Sequence, residues 1–215
     1  MLTFILGGAR SGKSRYAQRL AARAPRVCYI ATLVAGDDAE MQDRVARHQG
    51  DRPSSWCTVE APLALADAVE AVVDDTDAVL VDCLTLWLSN LSWEHRASQP
   101  GVIENAVRGE LRRVADAAQS CHVILVSNEV GSGTVPESPV ARAFRDIQGF
   151  GNQWAAEVAD LGHGDFGFCQ YGGYQNTKAK ATGFFRVARL GALAGTLAGA
   201  AGGTAGVSSS GAFIR

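Results

Sequence analysis

Eight consecutive residues, Gly7-Gly8-Ala9-Arg10-Ser11-Gly12-Lys13-Ser14, have the types and spacing needed to grip a chain of phosphates. Glycines at such spacing let backbone N–H groups converge on phosphate oxygens with no Cβ in the way. A helix opening at Lys13 adds the partial positive charge of its N-terminus. In this pattern the lysine reaches the β- and γ-phosphates and the hydroxyl of Ser14 ligates Mg²⁺. A second Mg²⁺ ligand is expected as an acid closing a hydrophobic strand, and Asp82, after Ala78-Val79-Leu80-Val81, meets that description; a strand-end residue capping the next helix is the alternative.

A second group lies in Arg44-Val45-Ala46-Arg47-His48-Gln49-Gly50-Asp51-Arg52-Pro53. On a helix, Met41, Arg44, Val45 and His48 would share a face, with Arg44 one turn before the imidazole. A histidine among arginines suits phosphate handling, as nucleophile or as donor. The residues alone equally allow an exposed histidine on a charged helix. Asn128-Glu129-Val130-Gly131 is placed to line the same crevice and to position substrate or metal; a plain turn closed by Gly131 is the alternative.

These residues must be carried on a scaffold, and the sequence describes one. Apolar runs at 2–6, 27–31, 56–59, 78–82 and 123–127 read as strands. Residues 13–24, 37–49, 62–73, 102–119 and 139–159 read as helices between or after them. The alternation predicts an α/β fold of P-loop NTPase type, a doubly wound, mostly parallel sheet with helices on both faces. Such sheets bind ligands at the carboxyl ends of their strands, where the glycines and acids singled out here fall.

With 215 residues, 47% of them hydrophobic, the chain can fill one core. A net charge of -2 offers no global basic field for nucleic acid or an anionic membrane. None of the five cysteines stands in a CxxC pair or at metal-ligand spacing. Four lie in or beside apolar runs and are expected to be free thiols acting as small core hydrophobes, as in a reducing cytoplasm. The start of the chain lacks the basic region of a signal peptide. Residues 190–207 are rich in Gly, Ala and Leu, but small residues supply too little transfer energy for a membrane span.

Taken together, these stretches resemble the bifunctional adenosylcobinamide kinases / adenosylcobinamide-phosphate guanylyltransferases of cobalamin biosynthesis. The matching pieces are residues 7–14, Tyr29-Ile30-Ala31-Thr32, the segment from Arg44 to Pro53 with Trp56, Thr58 and Glu60, and Val81-Asp82-Cys83-Leu84-Thr85. Asn128 to Gly131, Val135-Pro136-Glu137, Phe144-Arg145-Asp146 and Asn152-Gln153 follow in family order. The resemblance covers about residues 1–160. It implies phosphorylation of adenosylcobinamide by ATP or GTP, then transfer of GMP from GTP to the adenosylcobinamide phosphate. In this family GMP is carried on a histidine, a role that passes here to His48, with Lys13 as its catalytic partner at the phosphates. Thr32, Leu33, Val34, Arg44, Arg52, Glu60 and Asp82 join residues 7–14 in the expected nucleotide site, with Ser14 and Asp82 as metal ligands. Family analogy also implies a cytoplasmic homo-oligomer.

Residues 161–215 depart from the family pattern. They carry a charge of +4 against -6 for residues 1–160, and are glycine-rich. The expectation is a catalytic domain over 1–160 and an atypical tail, disordered or loosely packed, over 161–215. The sheet would lack its last strand, or have it poorly replaced by residues 165–171. Competing readings are a P-loop kinase of another small metabolite, a nucleotide-dependent regulatory module, and a copy inactivated by its altered end.

Overall fold

The computed structural model describes residues 1–33, 52–99, 101–165 and 170–175. Its strands are β1 (Leu2–Gly7), β2 (Val27–Ala31), β3 (Cys57–Glu60), β4 (Ala78–Asp82), β5 (His122–Asn128), β6 (Leu161–Asp165) and β7 (Gln170–Gln175). Its helices are α1 (Lys13–Ala21), α2 (Leu65–Glu70), α3 (Leu84–Glu94), α4 (Val102–Ala117) and α5 (Pro139–Val158). One sheet takes all the strands in the order β3-β2-β4-β5-β1-β6-β7. Every pairing is parallel except the last, β6 with β7.

Alternation along the central strands divides the core. Leu2, Phe4, Ile30, Val79, Val81, Val123 and Leu125 pack on one face with buried residues of α2, α3, α4 and α5. Ile5, Val27, Tyr29, Leu80, Ile124 and Val126 pack on the other, against Ala17 and Ala21 of α1. The sheet is thus covered on both sides, which is why its strands read as nearly continuous apolar runs. The expected doubly wound, mostly parallel α/β fold is present.

Several expectations need correction. Helix α3 lies where no helix was expected; it buries Leu84, Trp87, Leu88 and Leu91. The helix expected over 62–73 is confined to Leu65–Glu70, with turns on either side. The sheet does not lose a strand after Asp160. Leu161–Asp165 pairs in parallel with β1, Ile5 opposite His163, and Gln170–Gln175 returns antiparallel beside it. Pairing depends on main-chain groups, so glycine-rich Leu161–Asp165 can complete the ladder without strong β-formers.

The cysteines also differ from expectation. Cys83 and Cys121 are free and buried, as small hydrophobes. Cys28 and Cys57, however, are direct register partners on β2 and β3 and form a disulfide. Strand neighbours 29 residues apart in sequence cannot be recognised as partners until the pairing is known.

Candidate nucleotide site

The anion cradle forms where β1 runs out. Gly7 is the last residue of the strand and Lys13 the first of α1. Between them the chain turns through two left-handed residues, Arg10 at φ 60° and Gly12 at φ 90°. Gly12 is needed for that conformation, which an L-residue adopts at a cost of about 1–2 kcal/mol. A Cβ built on Gly8 or on Gly12 meets nothing within 4 Å, so the loop surrounds open space. No side chain caps α1 and its first turn has no acid, which leaves its leading N–H groups for an anion. Lys13 Nζ donates to Gly8 O at 3.1 Å and so arches over the loop. Ser11 Oγ is buried without a hydrogen-bond partner.

Asp82 faces this cradle across one intervening strand. β5 lies between β1 and β4, with Gly7 opposite Asn128 and Asp82 opposite Val126. Leu80 belongs to the α1 side of the core, so alternation sends Asp82 toward α1 as well. Ser14 Oγ donates to Asp82 Oδ1 at 3.4 Å, while Asp82 Oδ2 is buried and unpartnered. A hydroxyl and a carboxylate with free lone pairs are hard oxygen donors. They fit a small divalent cation that keeps some water and takes its remaining ligands from phosphate. Among the described residues no group of three His, Cys, Asp or Glu side chains gathers to hold a metal.

The corner after Asp82 is braced. The Asp82–Cys83 peptide is cis. Thr32, buried at the end of β2, donates from Oγ1 to Cys83 O at 2.7 Å and accepts from Cys83 N at 3.0 Å. Asn90 of α3 in turn donates to Thr32 O at 2.8 Å. Thr32 therefore acts on this corner through its hydroxyl, and Leu33 follows it, half-buried.

Tyr29 was not among the expected site residues, although its strand ends in the site. Burial first, then the neighbouring Asp82 carboxylate, holds its phenol protonated far above the usual range. The Arg52 guanidinium lies over its ring, with Cζ 3.3 Å from the centroid, and Arg52 Nε is buried without a hydrogen-bond partner. Only the alternation of β2 and the return of the chain at Arg52 reveal this contact.

Glu60 ends β3 opposite Ala31 and is exposed. It shares the carboxyl edge of the sheet but stands four strand spacings, about 19 Å, from β1. The structure thus brings together residues 7–14 and Asp82, sets Thr32 and Arg52 beside them, and leaves Glu60 at the far edge. His48, Arg44 and Val34 lie outside the described residues, as does the helix expected over 37–49.

Comparison with known proteins follows the same residues. The family model described as cobinamide kinase / cobinamide phosphate guanyltransferase matches residues 3–163. The bifunctional adenosylcobalamin biosynthesis protein CobU of Salmonella typhimurium is 40% identical over 173 residues, spanning 74% of this chain and 92% of that protein. The protein of the same name from Escherichia coli is 39% identical over 173 residues, with the same coverage of 74% and 92%. The bifunctional adenosylcobalamin biosynthesis protein CobP of Pseudomonas aeruginosa is 44% identical over 158 residues, spanning 73% of this chain and 88% of that protein.

Proposed function

The chain belongs to the cobinamide kinase / cobinamide phosphate guanyltransferase family, and from that premise we propose that it phosphorylates adenosylcobinamide and then converts the phosphate to adenosylcobinamide-GDP. The observation that carries this reading at the level of chemistry is the meeting of Ser14 and Asp82 beside the Lys13 loop. It supports a single triphosphate site serving both reactions.

In the first reaction the main-chain N–H groups of residues 8–14 and Lys13 hold the β- and γ-phosphates. The hydroxyl on the aminopropanol arm of adenosylcobinamide attacks the γ-phosphorus. The bond to the bridging oxygen breaks and its electrons leave with the nucleoside diphosphate, ATP or GTP being the donor. Ser14 and Asp82 would hold Mg²⁺, which when bound offsets the phosphate charge. Lys13 supplies fixed positive charge where charge builds on the leaving oxygen.

In the second reaction the same loop grips the β- and γ-phosphates of GTP, and a His48 ring nitrogen attacks the α-phosphorus. Pyrophosphate leaves, and GMP is stored as a phosphoramidate. The phosphate of adenosylcobinamide phosphate then displaces the imidazole. Arg44 and Arg52 offset charge on the departing pyrophosphate, and Glu60 is assigned to guanine. Arg52 follows His48 by four residues in sequence. Its seat on Tyr29 supports this role, because it ties the end of the histidine segment to the strand beside Asp82.

The enzyme is further proposed to act as a cytoplasmic homo-oligomer, its catalytic unit extending past the expected end at residue 160 to take in β6, which pairs with β1. Among the described residues no helix is long and apolar enough to cross a membrane. Incubation with α-labelled GTP tests the central reading. The expected result is acid-labile, alkali-stable label on the protein, lost in His48→Ala and chased into corrinoid by adenosylcobinamide phosphate. Wild-type protein that takes no label while phosphorylating its acceptor would make the chain a kinase without guanylyl transfer.

A further inference from the structure

The last residue of β5 is held with more polar apparatus than a strand end needs. Asn128 N donates to Thr85 Oγ1 at 2.8 Å, and Asn128 Nδ2 approaches the same hydroxyl at 3.0 Å. Asn128 O accepts from Asn152 Nδ2 at 3.1 Å. Thr85 belongs to the first turn of α3 and Asn152 to α5, so two helices on one face of the sheet fix both main-chain polar atoms of a single residue.

Behind Asn152 the network continues into the core. Gln148, one turn earlier on α5, is fully buried. Its Nε2 lies 3.0 Å from both Asn152 Oδ1 and Ser127 Oγ, and Ser127 Oγ donates to Asn152 Oδ1 at 2.7 Å. These contacts set the sense of the Asn152 amide, with its oxygen toward the donors and its nitrogen toward Asn128 O. Gln148 Oε1 is left buried and unpartnered. Such an orphan acceptor costs about 1–3 kcal/mol, so the arrangement is not the one stability alone would favour.

Asn128 also borders the start of the phosphate loop. By alternation its Cβ leaves β5 on the side of Ile124 and Val126, which pack with α1, while its amide nitrogen turns to Thr85 at the head of α3. It stands two residues beyond the Asp82 level, about 7 Å further out over the crevice, and directly opposite Gly7 where the loop begins. Among the described residues no side chain or main-chain donor engages its Oδ1.

We infer that Asn128 is a further catalytic residue of the phosphoryl-transfer step, and that Thr85, Asn152 and Gln148 are positioning residues acting through it. This rests on the kinase reading above. A carboxamide is donor and acceptor at once and carries no charge. Its N–H meets an oxygen of the transferring phosphoryl group, while its oxygen accepts from the attacking hydroxyl and aligns it. The new bond joins that hydroxyl oxygen to phosphorus, the bridging P–O bond breaks, and the hydroxyl proton passes to a phosphate oxygen or to solvent. A carboxylate here would orient the hydroxyl but repel the phosphate, which accounts for an amide.

The test uses the full chain, with adenosylcobinamide and ATP or GTP, and follows kcat alongside the Kd of a fluorescent GTP analogue. Asn128→Ala should lower kcat by ~100-fold, as loss of one preorganised polar contact does, with the analogue's Kd within about threefold of wild type. Thr85→Val, nearly isosteric, should lower kcat about tenfold or more through misplacement, and Thr85→Ser should recover most of it at equal melting temperature. Asn128→Ala with kcat within about threefold of wild type overturns the inference alone. So does a loss confined to nucleotide affinity. Should Asn128→Ala fail to fold, the Thr85 pair decides, since Val and Ser variants with the same kcat exclude a positioning hydroxyl. A wild-type chain that binds nucleotide but phosphorylates no corrinoid overturns the kinase reading and the inference with it.

Discussion

Ser14 and Asp82 are 68 residues apart in sequence, yet Ser14 Oγ stands 3.4 Å from Asp82 Oδ1. The meeting joins the first turn of α1 to the end of β4 across β5. Asp82→Asn keeps the shape of that pair and removes its charge. Both transfer reactions should fall by ~100-fold, with a raised Mg²⁺ requirement, and chelation of Mg²⁺ should stop both in the wild type. Turnover measured across a Mg²⁺ titration checks this; an unchanged Mg²⁺ midpoint in Asp82→Asn would remove Asp82 from the metal site.

Gly12 sits at φ 90° with open space where a Cβ would project. Gly12→Ala should therefore act through backbone strain and not through a clash. A loss of about 1–2 kcal/mol in urea unfolding is expected, together with weakened nucleotide binding as the loop relaxes. Unaltered unfolding and affinity would show that the loop adopts another conformation in solution.

Gly151 is a packing glycine. A Cβ there would lie 2.7 Å from Leu88 Cδ1 and 3.3 Å from Leu88 Cδ2, and Leu88 is fully buried in α3. Gly151→Ala should destabilise the fold by about 1–3 kcal/mol, despite the better helix propensity of alanine. Pairing it with Leu88→Ala should give a smaller loss than the two single losses added, and simple additivity would deny the contact.

Two histidines predict the response to acid. Burial, and for His122 the N-terminal amine as well, hold His122 and His163 below the ordinary value of 6.5. Above that value both folded and unfolded chains are neutral at these sites. As pH falls below it the unfolded chain takes up protons that the folded chain does not, so stability declines through the window down to the folded values. The urea midpoint should fall between pH 7.5 and 5.5, and by less when His122 and His163 are replaced by Asn. Equal slopes in the variant and the wild type would contradict the assignment.

The central strands and the phosphate loop were legible because each signal is local. Ala78-Val79-Leu80-Val81 is apolar throughout since both faces of the sheet are covered, and the glycines of 7–12 record a backbone need. Helix α3 was not, because Leu84, Trp87, Leu88 and Leu91 bury a broad surface and blur the contrast that marks an amphipathic helix. β6 escaped notice since Gly162 and Gly164 have little strand preference and take their pairing from β1. Asn128 was legible as a crevice residue, but its ties to Thr85 and Asn152, and theirs to Gln148, appear only when β5 is laid against α3 and α5. The Cys28–Cys57 bond was hidden for a like reason, being defined by strand register.

The position of β5 between the cradle strand and the carboxylate strand has a consequence for tolerance to change. Gly7 lies two strand spacings across the sheet and two residues along it from Asp82, about 12 Å in all, a separation set by main-chain hydrogen bonding. It works as a ruler built from peptide groups, whose length no side-chain replacement alters. Interior substitutions in β5 that keep the ladder should shift melting while leaving the grip on nucleotide intact, and a proline there, removing one rung, should loosen the two together.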